Sequence, residues 1–167
     1  MSTQKPKRRI NTKYLGIKIL IVAFLIAGFA YTQDTTTNSM QLLAVNEDQE
    51  GNPQSGSLIN LKLTVEPGSG ETYVNLDTIE EVDTQISIIN SQRIACRLFE
   101  LPCDRYDFHY EFSGSALLLK GPSASAAIGI LVAKTLEGES LDNSTVITGS
   151  LNSGGIIGAV GGVETKV

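Results

Sequence analysis

The chain has 167 residues, 41% of them hydrophobic, with a formal net charge of −5 and a mean hydropathy of +0.04. That suffices for one ordinary domain with an appendage and excludes a disordered polymer. Six of the 13 basic residues (Lys5, Lys7, Arg8, Arg9, Lys13, Lys18) precede Ile19 and the first acidic residue is Asp34, so the rest sets seven basic against all 18 acidic residues, a net of −11. A body this acidic repels phosphate backbones, and nucleic acid is not an expected partner.

Residues 1–13 form a basic tail. From Ile19 to Tyr31 every residue is apolar or small, and Tyr14–Ile17 extend the run across Lys18. With the Lys18 stem reaching toward the headgroups, 14–31 approaches the ~20 residues of a membrane span. Basic residues before it and none directly after it place the tail in the cytoplasm and the body outside. A cleaved signal peptide fits the same segment, because Gly28-Phe29-Ala30 is a small-x-small site behind an apolar stretch, and the body would then be secreted. The polar residues 32–39 read as a linker, followed by a single mixed α and β domain over 40–167.

Within that body Met40–Val45 and Ser57–Val65 read as strands. In the second, Ile59, Leu61, Leu63 and Val65 alternate with mostly polar residues, Leu58 being the exception. Pro67-Gly68-Ser69-Gly70 predicts a turn, and Thr72–Leu76 a further strand. The spacing of Ile86, Ile89, Ile94 and Leu98 predicts a helix over 83–98, ended before Pro102. Tyr106–Phe112 alternates aromatic and polar residues as a half-buried strand does, and Leu117–Leu119 is a short apolar strand. Cys96 and Cys103 either pair, as an oxidising compartment permits, or stay buried as free thiols, and the sequence does not choose. With His109 they would lack a fourth zinc ligand, so no metal site is expected. Asn143-Ser144-Thr145 matches a glycosylation tripeptide.

Two stretches carry the chemistry. In Gly121-Pro122-Ser123-Ala124-Ser125, Pro122 suits the first helical position, and Ala124, Ala127, Ile128, Leu131 and Val132 follow helical spacing up to Glu137-Gly138. Ser123 then lies in the first turn of a helix leaving a strand, where unpaired N–H groups and the helix dipole favour developing negative charge. That suits a nucleophile with its oxyanion hole, and it equally suits a simple cap. The second stretch is a β-branched strand, Ser144–Thr148, followed by a glycine-rich run from Gly149 to Lys166 that reads, on residue type alone, as a hairpin ending in a solvated lysine. It contains no G-x-x-x-x-G-K-[ST] phosphate loop, so no ATPase module and no cofactor are expected.

Taken together the two stretches resemble the proteolytic domain of the Lon family, its archaeal membrane-associated and Lon-like members in particular, over about Leu118–Val167 and more faintly from Met40. The resemblance implies an α+β fold, a mixed sheet with packed helices behind an N-terminal transmembrane helix. It places the nucleophile on Ser123 of Gly121-Pro122-Ser123-Ala124, the catalytic lysine on Lys166 of Gly161-Gly162-Val163-Glu164-Thr165-Lys166, and a supporting threonine on Thr148 of Thr148-Gly149. The implied function is a membrane-anchored, ATP-independent serine endopeptidase with a Ser-Lys dyad. Its partners would be a polypeptide substrate and membrane lipid, with homo-oligomerisation open. The alternative is a catalytically inactive Lon-like binding or scaffolding domain.

The chain departs from the family pattern at Ser125, where glycine is usual, and at Lys120, where an acidic residue often stands. Ser125 is the next candidate nucleophile should Ser123 not serve. The single histidine, His109, sits between Phe108 and Tyr110 and reads as structural. A Ser-Lys dyad needs a neutral amine, and Ile156, Ile157, Val160 and Val163 are the residues expected to desolvate Lys166. Because the sequence stops one residue after Lys166, the domain reads as C-terminally incomplete. One helical turn alone is marginal in water, so that lysine is expected to fray, to keep a pKa near ~10.4 and to leave the chain inactive.

Overall fold

The computed structural model describes residues 34–48, 50–76, 79–80, 82–114, 118–119, 121–142 and 144–166. The basic tail, the expected anchor at 14–31 and Asn143 of the glycosylation tripeptide lie outside the described residues. Among the described residues no helix is long and apolar enough to cross a membrane.

The body is mixed α and β. A long antiparallel hairpin of β1 (Thr36–Glu47) and β2 (Pro53–Pro67) opens it. β5 (Tyr106–Gly114) pairs antiparallel with β2, and β3 (Thr72–Leu76) pairs parallel with β5, giving the order β1-β2-β5-β3. The alternation expected of β2 is met, with Ile59, Leu61, Leu63 and Val65 buried and Leu58 exposed. Phe108, Tyr110 and Phe112 of β5 point the same way, as do Met40, Leu42 and Ala44 of β1. α1 (Val82–Leu98) and α2 (Ser125–Glu137) pack together, and α2 lies on β1 and β2. Ile88 and Ala95 of α1 and Ala127, Ile128, Leu131 and Val132 of α2 close one core with the inward strand residues. Gly138 in the left-handed conformation ends α2, its N–H bonding back to Lys134 and Thr135.

Three expectations are corrected. β1 begins at Thr36 rather than Met40 and takes in residues 36–39 of the expected linker. Their polar side chains suit a strand because they too are paired, Thr37 Oγ1 with Thr64 Oγ1 at 3.1 Å and Asn38 Nδ2 with the Glu139 carbonyl at 2.9 Å. Of the expected α1 stripe of Ile86, Ile89, Ile94 and Leu98, Ile94 is buried, whereas Ile86 and Leu98 are about half exposed. The helix buries Thr84, Ile88, Ser91, Gln92, Ile94 and Ala95, and Gln92 is accommodated there because its Oε1 accepts bonds from Thr72 Oγ1 and Tyr110 OH, both at 3.1 Å. Residues 144–148 form no strand ladder; they run beside the start of α2, where the Gly149 N–H bonds to the Ser123 carbonyl at 2.9 Å.

The cysteine question is settled in favour of pairing. Cys96 and Cys103 form a disulfide across seven positions, joining the end of α1 to the short 3-10 turn Cys103–Arg105 that feeds β5.

Candidate active site

After β6 (Leu118–Leu119), which pairs parallel with β4 (Ile79–Glu80), the chain turns at Gly121, whose φ of 73° is open to glycine and strained for most other residues. A 3-10 turn, Pro122–Ala124, then leads into α2. Pro122 has no N–H to lose there, and the Ser123 and Ala124 amides head the helix with no carbonyl of their own turn to meet. Ser123 is partly exposed and lines a cleft of about 570 Å³.

The opposite side of that cleft comes from three places. Leu43–Asp48 of β1 and the turn after it form one wall. Ser150 belongs to β7 (Ser150–Leu151), which pairs with β8 (Ile157–Gly158) in the glycine-rich hairpin. Ala159–Gly162 and Lys166 complete it. Gly162, at φ 69°, turns the chain into α3 (Val163–Lys166), and its carbonyl accepts the Thr165 and Lys166 amides at 3.1 and 3.0 Å.

Lys166 is thus a held residue, 8% exposed, which corrects the expectation of a frayed, hydrated amine. Burial pushes its pKa below the ordinary lysine value, because a charged amine loses solvation there. The expected desolvating residues do little of this, since Ile156, Ile157 and Val163 are all exposed. α3 instead packs on β1 and β2, and the hairpin of the main sheet covers the lysine.

Thr148 joins the two sides. Lys166 Nζ donates to Thr148 Oγ1 at 3.4 Å, and Thr148 Oγ1 donates to the Ser123 carbonyl at 3.4 Å. Of the three residues singled out in the sequence, Ser123 and Lys166 line one cleft, and Thr148, outside that lining, tethers the lysine to the loop that carries the serine. Among the described residues no hydrogen bond joins the Ser123 hydroxyl directly to Lys166. Contacts of this kind are often long before substrate is bound. Ser125 is 3% exposed and lies outside the cleft lining, which removes it as a nucleophile.

His109 is elsewhere, on β5, with Nε2 2.9 Å from Glu66 Oε1 and its ring stacked on Tyr73 at 4.7 Å. Its structural reading holds. Among the described residues no group of three or more His, Cys, Asp or Glu could hold a metal ion. Sequence reasoning missed the contribution of Leu43–Asp48, whose residue types carry no catalytic signal.

The arrangement is thus a partly exposed serine and a buried lysine in one cleft, with a threonine bonded between the lysine amine and the serine carbonyl. Consistent with this, the chain is 28% identical over 122 residues to the Lon protease of Paraburkholderia phytofirmans, covering 69% of this chain and 15% of that protein. It is 25% identical over 128 residues to Lon protease 2 of Bacillus subtilis, covering 69% of this chain and 23% of the other. Over 81 residues it is 32% identical to the archaeal Lon protease of Thermoplasma acidophilum, covering 48% of this chain and 12% of that one. The chain thus spans less than a quarter of each of these relatives. No family model matches the chain.

Proposed function

We propose that this chain carries a Lon-type proteolytic domain acting as a serine endopeptidase, membrane-anchored through residues 14–31 and facing away from the cytoplasm. The observation that carries the reading is the single cleft lined by the Ser123 side chain and the buried Lys166, with Thr148 bonded between them.

A polypeptide enters extended along β1, the outer strand of the sheet, whose residues 43–47 form the cleft wall. Ser123 Oγ attacks the scissile carbonyl carbon, and neutral Lys166 takes its proton as the C–O bond forms. The Ser123 and Ala124 amides receive the oxyanion at the positive end of α2. When the tetrahedral species collapses, the C–N bond breaks and the protonated Lys166 returns the proton to the departing amine. Water, activated by the same lysine, then hydrolyses the acyl-enzyme.

Ser123→Ala and Lys166→Ala should each lower cleavage of an unstructured protein by on the order of 10³-fold or more, with the fold retained. The wild-type rate should climb with pH through a pKa below the ordinary lysine value of 10.5, since the amine acts only when unprotonated and burial makes it lose its proton early. Cleavage that survives Ser123→Ala sinks the nucleophile, and a profile without a rising limb sinks the base. For the topology, protease added outside intact cells should digest the body from Thr36 onward; complete protection would reverse the orientation.

A further inference from the structure

Ser125 takes no part in the reaction just described, yet its hydroxyl is fully used. Oγ donates to the Pro122 carbonyl at 2.6 Å and accepts the Leu151 N–H at 2.6 Å. The Gly149 carbonyl, 3.5 Å away, is too distant to compete for the one hydroxyl proton. Its two partners belong to different elements: Pro122 opens the turn that carries Ser123, and Leu151 belongs to β7, whose other residue Ser150 lines the cleft. Two backbone bonds run alongside, from the Gly149 N–H to the Ser123 carbonyl at 2.9 Å and from the Ala126 N–H to the Gly149 carbonyl at 3.2 Å.

The residue type is informative because of its neighbours. Ser125, Ala126, Ala127 and Ile128 are all buried, and packing alone is served as well by alanine. A buried hydroxyl is costly unless both its donor and its acceptor capacity are met. Here both are met, and they are spent on linking the nucleophile turn to the cleft wall. Removing the hydroxyl leaves the Leu151 N–H without its acceptor and the Pro122–Ala124 turn held to the segment before β7 through the bonds that Thr148 and Gly149 make to the Ser123 carbonyl.

We propose that Ser125 is a positioning residue, a hydroxyl clamp between the Pro122–Ala124 turn and β7 that fixes the direction in which Ser123 faces the cleft. It acts through Ser123 and never touches substrate. The positioning role rests on the peptidase reading; the clamp itself does not.

The test uses the full chain with Ser125→Ala, Ser125→Gly and the hydroxyl-retaining Ser125→Thr, and two kinds of measurement. Amide hydrogen exchange needs no activity: in Ser125→Ala, exchange at Leu151 and Gly149 should quicken about tenfold while the β2 and β5 amides keep their rates. Kinetics on a peptide substrate, normalised to sites labelled by a fluorophosphonate, should show kcat reduced about 10- to 100-fold and KM changed less than about twofold. The rising pH limb should stay where it is, because the Lys166 contacts are untouched, and Ser125→Thr should recover most of the loss. Unchanged exchange at Leu151 in a folded alanine or glycine variant overturns the clamp. A lower melting temperature with kcat per labelled site intact shows a purely structural hydroxyl and overturns the positioning role. If the wild type neither cleaves nor labels, the peptidase reading and the positioning role fall together, and the exchange rates still decide the clamp.

Discussion

The four-stranded sheet and the glycine-rich run from Gly149 to Lys166 are held by different forces. The sheet owes its place to apolar burial: Leu61, Leu63 and Phe108 are wholly inaccessible and Val65 and Tyr110 nearly so. In the run, Gly149 and Lys166 at its two ends are the buried residues, while Ile156, Ile157 and Val163 face outward. Its geometry comes from hydrogen bonds: Asn152 accepts the Gly154 and Ile156 amides, both at 2.9 Å, Ser125 accepts the Leu151 amide, and Gly162 starts α3. Burial is non-directional and sets stability, whereas hydrogen bonds are directional and set where a side chain points. One region therefore governs whether the domain folds, the other where the cleft residues point.

The largest effect that separates them is Phe108→Ala. Emptying this fully buried site on β5 should cost about 3–5 kcal/mol in chemical denaturation, from lost transfer energy and the cavity left behind. The folded fraction should keep its rate per labelled site; a rate that falls while the protein is folded would mean that the sheet tunes the chemistry directly.

Next comes the disulfide, which sits between the two regions. It closes a loop across seven positions, so replacing both Cys96 and Cys103 with serine should cost about 2–3 kcal/mol on the chain-entropy estimate. Arg97, beside Cys96 on α1, bonds to the Ser153 carbonyl of the glycine-rich run. If catalysis drops further than the loss of folded protein explains, α1 transmits strain to the cleft and the separation is incomplete.

The smallest stability effect, about 1–2 kcal/mol, is expected for Gly56→Ala, together with the sharpest functional one of the three. A Cβ at this β2 position would stand 2.6 Å from the Thr165 carbonyl oxygen and 3.0 Å from that of Lys166. Both are backbone atoms of the lysine turn, which must shift to make room. A displacement of about an ångström should slow cleavage 10- to 100-fold, and the pH limb should move toward the ordinary lysine value as water reaches the amine. An unaltered pH profile would mean that α3 is compliant.

The same contrast decides what the sequence reveals. Alternation in Ile59–Val65 and Tyr106–Phe112 exposes β2 and β5 because each buried side chain leaves a mark at period two. α1 is misread in part, since its inward face mixes Ile88, Ile94 and Ala95 with the polar Thr84, Ser91 and Gln92, and the partners that hold Gln92, Thr72 and Tyr110, lie on other elements and cannot be seen along the chain. Ser123, Thr148 and Lys166 are legible through their motifs, in which residue identity reports chemistry. Their surroundings are not: Leu43–Asp48 reach the cleft by hairpin geometry, and Gly56 matters only because another segment passes within contact distance.

The Thr148 bridge also carries a directional consequence. A hydroxyl has one proton, and Thr148 gives it to the Ser123 carbonyl, which can only accept. Toward Lys166 the oxygen is then solely an acceptor, so the amine must spend one N–H on it. A neutral amine has two hydrogens and one lone pair; with Cε in place and one hydrogen committed to Thr148, the lone pair and the second hydrogen share the two remaining tetrahedral directions. The threonine thereby narrows the electron pair to two orientations and keeps it from being spent on the loop.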